Sequence, residues 1–245
     1  MRFRILKILQ PMILRFIIRS LQINFLKKND EVDVRGEKFV ISESVFNPKL
    51  FYSSELMIDA LDHIDISPDK MVLDMGTGSG ILAIMSAKKG ARVVAIDINR
   101  EAAKCAKMNA KNHDVDVEVI CSDLFSCLKE QRIFDLIIFN IPYLNIKPRD
   151  TFDLSICDYR KETLKRFLDE SHKYLKDDGK ILMAYSSVSD INETERMFGE
   201  KGWHFEKILE RNISEFESIV IYKLKKSQSV NRVYQRVKYK VIDNK

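Results

Sequence analysis

The stretch VLDMGTGSGILA (72–83) sets an acid, Asp74, two residues before Gly76, and Gly78 and Gly80 follow at alternate positions. Glycines at a strand-to-helix turn remove side chains where the backbone must bend sharply and approach a ligand. The G-x-G-x-G spacing differs from the G-x-G-x-x-G of dinucleotide sites. A carboxylate beside the loop repels a pyrophosphate but suits the ammonium of an amino-acid moiety. Asp97 closes the apolar run VVAID, 21 residues after Gly76. There it can accept both hydroxyls of a ribose, or serve plainly as a solvated strand-end acid or helix cap. Asp123, in CSDLF, is placed to reach an adenine amino group while Leu124 covers the ring; alone it reads equally as a cap. In FNIPYLNIKP (139–148), Asn140 ends an apolar run and precedes Ile141, Pro142 and Tyr143. Alone, that is an ordinary turn with Asn and Pro.

These residues need elements to hold them. From residue 70 the chain alternates short apolar runs with helical periodicity. Strands are expected at 70–75, 91–97, 116–123, 134–140 and 180–187, and helices at 79–90, 100–113, 160–176 and 190–202. Segments 203–211 and 216–226 read as two closing strands joined by a short connection, easiest if antiparallel. Upstream, VDVRGEKFVIS (32–42) alternates like a hairpin turning at Arg35-Gly36, and SSELMIDALDHI (53–64) reads as a helix capped by Ser53 or Ser54. The expected fold is α/β: a mostly parallel sheet with helices on both faces, made mixed by the closing pair. Every chemical residue named above falls at the end of a strand, the edge where such sheets bind ligands.

Together, Asp74, the three glycines, Asp97 and Asp123 resemble the cofactor site of the class I S-adenosylmethionine-dependent methyltransferases, a Rossmann-like family. The resemblance spans roughly residues 45–225 and implies seven strands with the last antiparallel. It assigns cofactor contacts to Ser54, Asp74, Gly76, Thr77, Gly78, Gly80, Asp97, Ile98, Asp123, Leu124 and Asn140. Asn140-Ile141-Pro142-Tyr143 resembles the Asn-Pro-Pro-Tyr signature of the HemK-like enzymes that methylate planar nitrogens, with Ile in place of the first proline. The resemblance makes Asn140, Ile141, Pro142 and Tyr143 the catalytic set. The Asn140 side-chain oxygen and the main-chain carbonyl of residue 141 would accept both N–H bonds of an amide or aryl amine, and Tyr143 would stack on it. Ile141 can serve because its part is played by the main chain. The segment 45–61 is similar to the stretch that closes over the cofactor in these relatives, with Ser54-Glu55 in the place of their Thr-Glu or Asp-Thr helix start.

Composition bounds the rest. The 245 residues are 45% apolar, enough for a full core. Net charge is +5, yet residues 1–28 carry +7 with no acid and 225–245 carry +6, so residues 29–224 carry −8. Basic ends on an acidic body suit an anionic membrane surface or RNA. Cys105, Cys121, Cys127 and Cys157 form no C-x-x-C pair, so no metal is expected and the cysteines read as reduced thiols of a cytoplasmic protein. Residues 1–30 read as a basic amphipathic helix kinked or restarted near Pro11, with Leu6, Leu9, Ile13, Phe16 and Ile17 on one side. Three placements stand open for it: packed on the domain, lying on a membrane, or holding substrate. Residues 31–226 form the catalytic domain and 227–245 a basic tail. The leading function is an N-methyltransferase for protein glutamine or a nucleic-acid base. A methyltransferase for a small or lipid-like acceptor, a non-catalytic S-adenosylmethionine-binding protein and an NAD-dependent oxidoreductase follow in that order.

Overall fold

The computed structural model describes residues 2–26, 30–49, 52–215 and 217–227. The elements run α1 (Arg2–Leu26), β1 (Glu31–Val34), β2 (Glu37–Val40), α2 (Tyr52–Leu61), β3 (Met71–Met75), α3 (Ile81–Lys88), β4 (Arg92–Asp97), α4 (Arg100–Asn112) and β5 (Val117–Cys121). After these come β6 (Phe134–Asn140), α5 (Glu162–Glu170), β7 (Leu175–Ser186), α6 (Ile191–Glu200), β8 (Trp203–Ser214) and β9 (Glu217–Lys226).

Seven strands form one sheet in the order β5-β4-β3-β6-β7-β9-β8. β9 alone runs antiparallel, inserted between β7 and β8. Alternation sorts the side chains to two faces. Val72, Val93, Ala95, Leu136 and Ile138 pack with α2, α3 and α4. Leu73, Val94, Ile96, Ile137 and Phe139 pack with α5 and α6. The chain grows outward from β3 through β4 to β5, then returns to place β6 on the other side of β3. That reversal opens a crevice at the carboxyl ends of β3, β4 and β6. The register brings those ends level, with Met75 opposite both Ile96 and Phe139.

The expected β1–β2 hairpin forms, with Arg35 and Gly36 both at positive φ, as a two-residue turn of this hand requires. Asn109 of α4 locks it in place. This buried amide exchanges hydrogen bonds with the Val40 backbone on both sides and donates to Ser79 O in the glycine loop.

Several expectations are corrected. Ser53 and Ser54 lie inside the first turn of α2 and do not precede it. β5 stops at Cys121, so Asp123 sits beyond the strand. α5 ends at Glu170, followed by a 3-10 turn at Ser171–Lys173, and β7 begins at Leu175. Residues 176–179 bulge out of β7, since Leu175 pairs with Phe134 and Lys180 with Leu136. Asp135 favours the bulge by drawing the Lys176 ammonium to 2.8 Å. α1 is one helix with Pro11 inside it. Its buried side carries Arg15, Ile18 and Gln22, while Ile13, Phe16 and Ile17 face solvent. The carboxylate of Asp153, fully buried in the segment after β6, explains that inversion. Arg15 lies 3.4 Å and Arg19 2.7 Å from it, and Gln22 donates to Val45 O at 2.8 Å. Turning these arginines outward would leave the buried carboxylate uncompensated, at a cost of about 3–5 kcal/mol. The side chains of Leu6 and Leu9, and the expected tail from residue 228 onward, lie outside the described residues.

Candidate active site

A cavity of about 250 Å³ opens at the carboxyl ends of β3, β4 and β6. All the residues singled out in the sequence line it except Asp74 and Gly80, which lie beneath the loop.

Three glycines hold the loop after β3, for three different reasons. A Cβ on Gly76 would sit 2.9 Å from the Phe139 ring, and one on Gly80 would sit 3.0 Å from the Ala106 backbone. These two are packing glycines that seat the loop against β6 and α4. Gly78 has φ +56° and nothing within 4 Å of where its Cβ would be, so it leaves room for a ligand.

Asp74 is buried beneath this loop. Its Oδ2 accepts hydrogen bonds from the Thr77 hydroxyl at 2.7 Å and from Ala83 N at 3.0 Å, and neither bond falls on Oδ1. Among the described residues no ion pair reaches it. Burial pushes its carboxyl up to about 7; the Thr77 and Ala83 bonds oppose that rise, and the nearby Asp97 adds to it. Asp97 is almost as buried. Its Oδ2 accepts from Gly78 N at 2.9 Å and its Oδ1 from Asn99 N at 2.8 Å. Burial also raises its carboxyl above the ordinary range. Two buried carboxylates without a cation, beside an open glycine, form a donor set suited to a cationic, hydroxyl-bearing ligand. S-adenosylmethionine fits that description and a pyrophosphate does not.

A pH dependence follows. The Asp74 carboxyl has a higher pKa folded than unfolded, so its protonated form is the one the fold favours. The associated stability is complete below about pH 4 and lost as pH rises through about 7. Ionising it there costs about 4 kcal/mol. In unliganded protein, Asp74→Asn should therefore become progressively more stable than wild type between pH 5 and 8, measured by chemical denaturation across that range. A stability difference independent of pH would refute the buried, unpaired carboxylate.

Ile98 stands half exposed at the lip of the cavity. Leu124 is buried at positive φ. Asp123 is solvent-accessible, and its Oδ2 accepts from the Arg166 guanidinium of α5 at 2.9 Å. Any adenine contact therefore falls to its other oxygen. Arg166 was not foreseen, because 43 residues separate the partners and neither stands in a motif.

Asn140 ends β6. Its Nδ2 donates to Ser53 Oγ at 3.2 Å and to Ser54 Oγ at 3.3 Å. With the amide nitrogen engaged by α2, Oδ1 is the group left to accept from a ligand. Ser53 is the second residue that sequence reasoning did not place in the site, having been read as a cap. Ile141 is buried, its side chain joining the core cluster of Phe139 and Phe167 while the residue also lines the cavity. Pro142 is buried beside it. The Tyr143 hydroxyl feels the carboxylate of Glu217 of β9, which accepts from Ser186 Oγ at 2.7 Å. Burial, reinforced by the Glu217 carboxylate, raises that hydroxyl well above its ordinary pKa. The Tyr143 ring, edge-on to Tyr185 at 6.5 Å, keeps part of its surface exposed to the cavity. Beyond it, Leu144 exchanges backbone hydrogen bonds with Ile156 and Asp158. Asp158 caps α5 through Thr163 N and Leu164 N, which folds the segment 144–158 over the site. Arg15 and Arg19 of α1 hold that segment from outside through Asp150 and Asp153. Among the described residues no group of three or more His, Cys, Asp or Glu could hold a metal ion.

Residues 37–207 match the family model described as methyltransferase small domain. A Methanocaldococcus jannaschii protein, provisionally named a protein N5-glutamine methyltransferase, is 34% identical over 171 residues, 66% of this chain and 83% of its own length. A release factor glutamine methyltransferase of Koribacter versatilis is 31% identical over 66% of this chain, which spans only 62% of that relative's length. Among solved structures, the E. cuniculi complex responsible for methylating the eRF1 translation termination factor contains a chain that superposes with a TM-score of 0.58. It is 22% identical and covers 75% of this chain and 99% of its own. Fold, glycine loop, paired carboxylates and these matches agree: the chain belongs to the methyltransferase small domain family of class I S-adenosylmethionine-dependent methyltransferases.

Proposed function

We propose that this methyltransferase acts on a planar nitrogen, the side-chain amide of a glutamine in a protein. The observation that carries the reading is the fixed Asn140 amide. Ser53 and Ser54 hold its nitrogen, which leaves its oxygen to accept from a ligand in the cavity that Tyr143 also lines. The two relatives described above carry glutamine methyltransferase names, which supports an amide acceptor over a base amine.

Thr77, Gly78, Asp97 and Asp123 with Leu124 would cradle S-adenosylmethionine, with Asp74 fixing the loop from beneath and Asn140 and Ser54 at the far end. S-adenosylmethionine supplies an activated methyl group. The chain's residues make the acceptor ready to receive it. An amide nitrogen is a poor nucleophile because its lone pair is delocalised into the carbonyl. Asn140 Oδ1 and the Ile141 carbonyl can accept its two N–H bonds, which orients the nitrogen and favours its pyramidal form. Tyr143 offers a flat surface for the amide plane. Transfer would break the donor's sulfonium C–S bond, its electron pair staying on sulfur as a neutral thioether, while nitrogen forms the new C–N bond and releases one proton to solvent; alignment rather than a strong base would carry the rate.

The test uses methyl-labelled S-adenosylmethionine and extract separated into protein, nucleic-acid and lipid fractions. Acid hydrolysis of a methylated carboxamide releases methylamine. Labelled methylamine from the protein fraction is the expected result. Label confined to nucleic acid would transfer the reading to a base amine, and label confined to lipid extract to an apolar small acceptor.

A further inference from the structure

α1 turns its central charges inward and its apolar side chains outward. Arg15 and Gln22 are 6% and 2% exposed against the domain, whereas Phe16 is 72% and Ile13 56% exposed. Met12, Ile17, Leu21 and Ile23 stand at 45–48%. A helix that served only the fold would have buried this face. The inward face already grips the segment around Asp153, and among the described residues the outward face has no partner.

Charge tells which partner fits. Residues 1–28 hold seven basic residues and no acid. Arg15 and Arg19 are engaged by Asp150 and Asp153. The other five, Arg2, Arg4, Lys7, Lys27 and Lys28, flank the apolar stretch in sequence on both sides. A second copy of the chain would bring the same acid-free basic segment against itself, a like-charge contact. An anionic bilayer meets both demands, taking up apolar side chains at the headgroup boundary and attracting the flanking cations. Among the described residues no helix is long and apolar enough to cross a membrane, so the fit is to lying on the surface. At about 1.5 Å per residue, the 25-residue helix offers roughly 37 Å of contact length.

We propose that the outward face of α1 docks the enzyme onto an anionic lipid bilayer, lying in the plane of the interface. Because α1 also holds the segment 147–153 that walls the cavity, docking fixes how the active site is presented at the membrane.

The experiment is sedimentation of the full chain with vesicles of phosphatidylcholine alone and of phosphatidylcholine mixed with phosphatidylglycerol. Its variant is Phe16→Ser/Ile17→Ser, which removes apolar surface without altering charge. Both positions are exposed, and unchanged circular dichroism and cofactor-induced thermal shift will certify the fold. The wild type is expected to pellet with the mixed vesicles, to be released by added salt, and to remain in solution with phosphatidylcholine. The variant should partition at least about tenfold more weakly. Wild-type protein left in the supernatant with the anionic vesicles, or a variant that binds as well as wild type, would overturn the proposal. So would sedimentation velocity showing a wild-type dimer that the variant converts to monomer, since the face would then belong to a contact between copies.

Discussion

Replacing Asn140 with alanine will lower kcat by about a thousandfold while leaving S-adenosylmethionine affinity within a few-fold of wild type. The magnitude is that of removing one positioned hydrogen-bonding group from a reacting centre. The split between rate and binding follows from where the residue stands. Asn140 is fixed from α2 by two serine hydroxyls at 3.2 and 3.3 Å, and it adjoins the cofactor cradle only at its end. Removing its oxygen frees the acceptor nitrogen to rotate, and the delocalised lone pair is then seldom aligned. Single-turnover rates and calorimetric titration of the cofactor, made on the same preparation, separate the two effects. A variant that keeps more than a tenth of the wild-type rate would dismiss Asn140 as the acceptor clamp.

Asp97→Ala carries the second large effect, on binding. In the proposed cradle the carboxylate would accept from a ribose hydroxyl pair, and charge-assisted hydrogen bonds contribute about 1.5–3 kcal/mol each. Losing both predicts a rise in cofactor Kd of at least about a hundredfold. The same substitution removes a buried anion whose ionised form the fold disfavours. It also leaves Gly78 N and Asn99 N without their acceptor. These changes oppose one another, so unliganded stability should move far less than affinity. Isothermal titration beside a melting curve reads both. An affinity within threefold of wild type would mean that Asp97 caps the loop and takes no part in the ligand.

The sheet was legible because its strands are short apolar runs set between helical periodicities. FDLIIFN (134–140) is apolar almost throughout, as a strand covered by helices on both faces must be, and the boundary at Asn140 is the one the sequence implies. The glycine loop and its neighbouring acids were legible for a different reason. Asp74, Gly76, Gly78 and Gly80 are neighbours in sequence, and Asp97 is one β–α unit away. What escaped notice depends on long-range partners. Arg15 and Asp153 are 138 residues apart, and only their meeting shows why α1 presents its charges inward. Ser53 reads as a cap until α2 is seen to begin before it and to face Asn140. Asp123 reads as a strand-end ligand until Arg166 is found on it. The bulge in β7 needs Asp135, on the neighbouring strand, to draw Lys176 aside.

The position of β9 in the chain has a consequence for assembly of the site during synthesis. The glycine loop and both cofactor carboxylates lie between residues 74 and 124, and the strands that carry them pair with near neighbours. Glu217 opens β9, which is threaded between β7 and β8 and closes the sheet last in sequence. Chains emerge amino end first, and long-range pairings form slowly because the loop they close must be ordered first. A nascent chain can thus order its glycine loop and the two acids beside it before β9 brings Glu217 to the Tyr143 side of the cavity.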